Sequence, residues 1–160
     1  MLAGQDVHSS ELPCIDEHAG TVKAEPDEVW RALVEVVERS FAAPLATAIA
    51  RVLACEDDGR SGPRPLAAGS RLPGFHVSSA LVDHELALVG RHRFSRYALI
   101  FRLQPIGAGR CRVSAETRAE FPGAVGRLYR ALVIGTRGHV AVVRLILLAV
   151  RHTAQRQRRV

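Results

Sequence analysis

The chain has 160 residues, 48% of them hydrophobic and 24% charged, with a net charge of +6. That is enough for one domain with a self-sufficient core, and too apolar for general disorder. Its 22 basic residues include a single lysine, Lys23; the arginines are spread along the chain and join no base-reading motif, so nucleic acid is not an expected partner.

Cys14, Cys55 and Cys111 are odd in number, widely spaced and without a Cys-x-x-Cys pair, which gives neither a disulfide framework nor a zinc site. The histidines at positions 8, 18, 76, 84, 92, 139 and 152 lack ligand spacing, and no metal or other cofactor is expected. Residues 1–17 carry Asp6, Glu11, Asp16 and Glu17 and no apolar h-region, so no signal peptide is read there. The longest apolar run, 140–150, is interrupted by Arg144 and is too short to span a bilayer. A cytoplasmic monomer or homodimer is the expectation.

Residues 1–16 lack periodicity and read as a loose arm, followed by one domain over 17–155 and a basic tail over 156–160. A first strand is expected over 18–24. Pro26 suits a first helical turn, where its missing N–H is not needed, and Asp27 and Glu28 complement the positive end of the helix dipole. Val29, Leu33, Val36 and Val37 then share a face, with Trp30 and Val34 at its margin; Arg31, Glu35, Glu38 and Arg39 lie opposite. A second helix is expected over 44–53, with Leu45, Ile49, Val52 and Leu53 as its apolar stripe. The stretch 56–73, with Asp57-Asp58-Gly59, Ser61-Gly62-Pro63 and Pro73-Gly74, is a break.

Strands are expected over 75–82, 85–94, 95–104 and 110–121. The short connections at Asp83-His84 and at Pro105-Ile-Gly-Ala-Gly109 make them an antiparallel meander. Sorted by a period of two, Leu86, Leu88, Gly90, His92 and Phe94 form one set. Tyr97, Leu99, Phe101 and Leu103 form a second, and Cys111, Val113, Ala115, Thr117, Ala119 and Phe121 a third. The alternates include Arg91, Arg93, Arg96, Arg102, Glu116 and Arg118, so one face is expected covered and the other wet. The cover is a last helix beginning near Gly123, on which Val125, Leu128, Leu132, Val140, Val143, Leu147 and Val150 recur at helical spacing. Gly135 and Gly138 mark either a bend or a close approach within it. The tail after Val150 reads as a helix C-terminus whose cations suit the dipole, in preference to a lipid-binding patch.

The segment Val22-Lys-Ala-Glu-Pro-Asp-Glu-Val-Trp-Arg-Ala-Leu33 resembles the opening motif of the START-related superfamily called SRPBCC, which includes polyketide cyclase/dehydrase-like proteins. The element order resembles its helix-grip fold over about residues 18–155. This α+β fold has a curved antiparallel sheet around a long C-terminal helix, with two short helices after the first strand. Five or six strands are counted where the family shows seven, so one is expected in 52–56 or in the loop beyond. The resemblance implies a hydrophobic cavity between sheet and last helix, and no single chemistry.

On that basis a small hydrophobic molecule is the expected partner. His92, at the inner face with a near-neutral intrinsic pKa, is a candidate to orient a polar group or exchange a proton; the bland alternative is a satisfied core histidine. Tyr97 is a candidate donor, and Thr117 is the polar member of an apolar row. Trp30, Phe101, Tyr129 and His139 complete the candidate ligand-binding set. Three functions follow: a helix-grip binder, a cyclase- or dehydratase-type enzyme using His92 and Tyr97 as acid and base, and a membrane-surface or scaffold protein acting through 140–159. The first is preferred, and membrane contact is not the favoured expectation.

Overall fold

The structure, a computed structural model, describes residues 11–158. The elements are β1 (Cys14–Val22), α1 (Pro26–Phe41), α2 (Pro44–Val52), β2 (Arg71–Leu72), β3 (Phe75–Leu81), β4 (Glu85–His92), β5 (Ser95–Pro105), β6 (Cys111–Glu120), α3 (Gly123–Gly135) and α4 (Gly138–Gln157). The strands form one antiparallel sheet in the order β1-β6-β5-β4-β3-β2, in which the β3–β6 meander is extended by β1 at β6. With α1 and α4 packed together over one face, this is the helix-grip architecture.

The opening of α1 follows from its residues. Pro26 takes the first helical position and the Glu28 carboxylate accepts the Glu25 backbone N–H at 2.8 Å. Val29, Leu33, Val36 and Val37 are fully buried, each stabilising the fold by about 1.5–3 kcal/mol. They meet an inner sheet face on which Leu86 stands opposite Phe101 and Phe101 opposite Ala115, with Val143, Ile146 and Val150 of α4 closing the layer.

The N-terminal expectations need correction. β1 begins at Cys14 rather than residue 18, so the last residues of the expected arm are sheet; residues 1–10 lie outside the described residues. Leu12 is buried against Ala87, Val89, Ala98 and Ile100, and its carbonyl accepts from the Arg118 guanidinium at 3.0 Å. The face expected to be wet therefore has an apolar strip sealed by Leu12, between the ion pairs Arg102–Glu116 and Arg96–Glu120. The additional strand is β2, two residues in the loop after α2.

The helical expectations need two further corrections. α2 forms, but Leu45, Ile49 and Val52 face solvent instead of a core. The C-terminal helix is two helices bent by 50°, with Arg137 at the break in the left-handed region (φ 53°). Gly135 and Gly138 flank that break, where helix propensity is weakest. Val143 and Val150 lie in the core as the stripe predicts, whereas Val125, Leu128 and Leu132 on α3 are exposed.

Candidate functional site

Beneath α4 the floor of the fold is filled by side chains. Phe101, Leu33, Leu86, Leu88, Val113 and Val150 are all essentially inaccessible. Phe101 and Trp30 are thus core residues, and the cavity implied beneath the last helix is occupied there. Among the described residues, grooves on the outside of the fold include two of similar size. One, of about 510 Å³, is lined by Thr21, Lys23, Arg110, Arg151, Gln155 and Arg158; neither groove is lined by any of the candidate residues.

The remaining five candidates gather at the other end of the inner face, where α3 departs. The aromatic group there is built by the β4–β5 turn. His92 pairs with Ser95 across the turn, and its ring lies 5.3 Å from that of Tyr97 and 5.0 Å from that of Tyr129 on α3. Tyr129 also meets Phe94 and Phe121. Gly126, one turn earlier in α3, lets the helix backbone approach the Phe94 carbonyl; a Cβ there would sit 3.2 Å from that oxygen.

These rings are held by the protein itself. The Phe94 backbone N–H donates to His92 Nδ1 at 3.1 Å, which leaves the Nε2 proton for Ser95 Oγ, also at 3.1 Å. Burial pushes the His92 pKa down. The Tyr97 hydroxyl donates to the Gly74 carbonyl at 2.6 Å, with Cys55 Sγ 3.6 Å away, and burial drives its pKa well above the usual phenol value. The expected acid–base pair of His92 and Tyr97 is corrected accordingly: both are committed to internal hydrogen bonds and form a wall rather than a proton-transfer pair.

Next to that wall is a polar group of a different kind. Thr117 stands opposite Leu99 on β5 and opposite Asp16 on β1, so both point inward, and His18, opposite Ala115, follows on the same face. His139, in the first turn of α4, comes down onto Asp16 with Nε2 2.8 Å from Oδ2. His18 Nε2 lies 3.6 Å from the same oxygen. Four atoms in this group are buried without any hydrogen-bond partner: Asp16 Oδ1, His18 Nε2, Thr117 Oγ1 and His139 Nδ1. Buried polar atoms are nearly always paired, and each one left open costs about 1–3 kcal/mol. The hydroxyl can both donate and accept, and each ring nitrogen does one or the other according to tautomer, so these atoms can serve polar partners of either kind.

Thr117 and His139 stand in the candidate set, whereas Asp16 and His18 do not. Their signal is the alternation Asp16, His18, Gly20, Val22, which places every second β1 residue on the inner face. Among the described residues no set of three or more His, Cys, Asp or Glu side chains is arranged to hold a metal ion.

No family model matches the chain, and no curated protein matches it significantly in sequence. Solved structures do match. A point mutant of norcoclaurine synthase from Thalictrum flavum, in complex with a transition-state analogue, aligns at 13% identity over 92% of this chain and 99% of that one, with a TM-score of 0.54. A Thermobifida fusca protein aligns at 15% identity (87% and 92% covered, TM-score 0.54), and a Thermus thermophilus protein at 17% (91% and 99%, TM-score 0.52). At such identities the likeness is one of fold. That fold is the helix-grip fold.

Proposed function

We propose that the protein binds a small, largely apolar molecule at the α3 end of the sheet, with one polar group of the ligand seated among Asp16, His18, Thr117 and His139. The observation that carries this reading is the set of four buried polar atoms without partners on an otherwise apolar inner face. The Tyr97, His92 and Tyr129 rings supply the adjoining apolar wall. Binding without turnover fits the commitment of His92 and Tyr97 to the Ser95 hydroxyl and the Gly74 carbonyl.

Native mass spectrometry of the protein purified from its own host tests the reading. One small-molecule adduct per chain is expected, released on denaturation and depleted in the Thr117→Val and His139→Phe variants. Adduct-free protein, together with a crystal structure in which ordered waters alone satisfy these four atoms, would overturn it.

A further inference from the structure

The exposed apolar side chains of this fold are not scattered. Val125, Leu128 and Leu132 recur along one side of α3, the latter two 69% and 66% exposed, and Val142, Leu145 and Leu148 recur along the outer side of α4. In each helix the row begins one position before an inward residue (Gly126 and Tyr129 in α3, Val143 and Ile146 in α4), so both rows occupy the same flank. Beside the α3 end, α2 exposes Leu45, Ile49 and Val52.

Within α3 and α4 themselves the charge has one sign. From residue 121 to 158 there is no Asp or Glu, and the stretch 41–55, which contains α2, likewise has Arg51 and no carboxylate. Arg144 and Arg151, seven residues apart, share one side of α4 next to Leu148, with Arg137 and Arg158 as the residues capping its two ends; Arg127 and Arg130 stand on the side of α3 away from Leu128 and Leu132. At the far end of α4, Arg151 and Arg158 join Lys23 and Arg110 around the groove of about 510 Å³, whose lining has no carboxylate.

A second copy of this chain laid on that face would bring guanidinium rows against each other. An anionic bilayer brings the opposite charge and, within its interface, an apolar layer for the leucines. Among the described residues no single helix is long and apolar enough to cross a membrane, and although α3 and α4 together reach that length they are bent by 50° and α4 buries Val143, Ile146 and Val150 in the core, so the contact proposed is in the plane of the surface. We propose that the α3–α4 flank, with Arg144 and Arg151, is a docking surface for an anionic lipid membrane. This goes beyond the ligand reading and does not rest on it.

The test is co-sedimentation of the full-length protein with phosphatidylcholine vesicles, with and without phosphatidylglycerol, at low and high salt, alongside sedimentation velocity of the lipid-free protein. Binding is expected with phosphatidylglycerol, weakened by salt because exposed charges are screened. Each arginine removed near the surface lowers affinity about fivefold, so Arg144→Gln with Arg151→Gln loses roughly 25-fold. Leu128→Glu with Leu132→Glu abolishes binding while leaving the thermal unfolding midpoint unchanged, since both side chains are exposed.

Three results overturn the proposal. One is wild-type protein left in the supernatant with phosphatidylglycerol vesicles. Another is equal, salt-insensitive pelleting with both lipids. The third is a lipid-free dimer that the leucine variant converts to monomer. Vesicle binding is read without any ligand, so its failure leaves the proposed pocket standing, and an adduct-free protein leaves the docking surface standing.

Discussion

Replacing Thr117 by valine separates stability from binding in this fold. Thr117 Oγ1 is buried with no partner, on an inner face shared with Leu99. An uncompensated buried hydroxyl costs about 1–3 kcal/mol. Valine keeps the branched shape that strands favour and adds apolar burial of about 0.8 kcal/mol per carbon. Discounted for the partial exposure of the side chain, the ligand-free protein should gain about 1–2 kcal/mol, a rise in urea midpoint on the order of 0.5–1 M at constant m-value. Thr117→Ser, which keeps the hydroxyl and loses the methyl, should instead lower stability by about 1 kcal/mol. Equilibrium urea unfolding of the three proteins, stripped of ligand, makes the measurement. A Thr117→Val midpoint at or below wild type would show that the hydroxyl has a partner, and the argument for an open polar receptor would fail with it.

Two further outcomes follow from the same packing. A Cβ on Gly90 would collide with the Gly74 carbonyl oxygen and with the Tyr97 ring, so Gly90→Ala should displace Tyr97, break its hydrogen bond to Gly74 and destabilise the protein by about 2–4 kcal/mol. A change below about 0.5 kcal/mol in urea unfolding would place the ring elsewhere. On the opposite face, burial pushes the Glu116 carboxyl up, but hydrogen bonds from Arg102 and Arg118 outweigh it and hold its pKa below the usual carboxylate range. The unfolded chain then binds this proton more readily than the folded one. Its stabilisation is complete above the ordinary carboxylate pKa and disappears as pH falls through the lower folded value. Glu116→Gln should flatten that part of the acid limb when urea midpoints are compared between about pH 7 and about pH 3; parallel curves would contradict this.

The layers of the fold were legible because its sheet obeys strict alternation. Leu86 and Leu88, Leu99, Phe101 and Leu103, and Cys111, Val113 and Ala115 all face inward as the period of two requires. Pro26, Asp27 and Glu28 located the start of α1 for equally local reasons. The last helix was legible in part. Val143 and Val150 follow the core, but the same apolar spacing in Val125, Leu128 and Leu132 marks a surface, and periodicity alone has no sign for which medium a stripe meets. The polar half of the site was hidden for a different reason. β1 is an edge strand whose inward residues before Val22 are Asp16, His18 and Gly20, so alternation gave no apolar signal there, and His139 reaches Asp16 only through a contact 123 residues apart in sequence. Leu12 was invisible in the same way, since one apolar residue before a proline has no period to reveal it.

The strand order leaves β1 and β2 as the two outer rails of the sheet. On one side β2 is only two residues long and is followed directly by Pro73. On the other, β1 starts after Pro13 and is dislocated at Ile15, where its register against β6 shifts. β2 is thus too short for an incoming backbone to grow on, while β1 is interrupted only at its start and keeps an even ladder over residues 16–22. Cross-β stacking of native molecules is therefore disfavoured at the β2 edge, and at the other edge the strand that a neighbour would meet carries the polar inner row Asp16, His18 and Gly20.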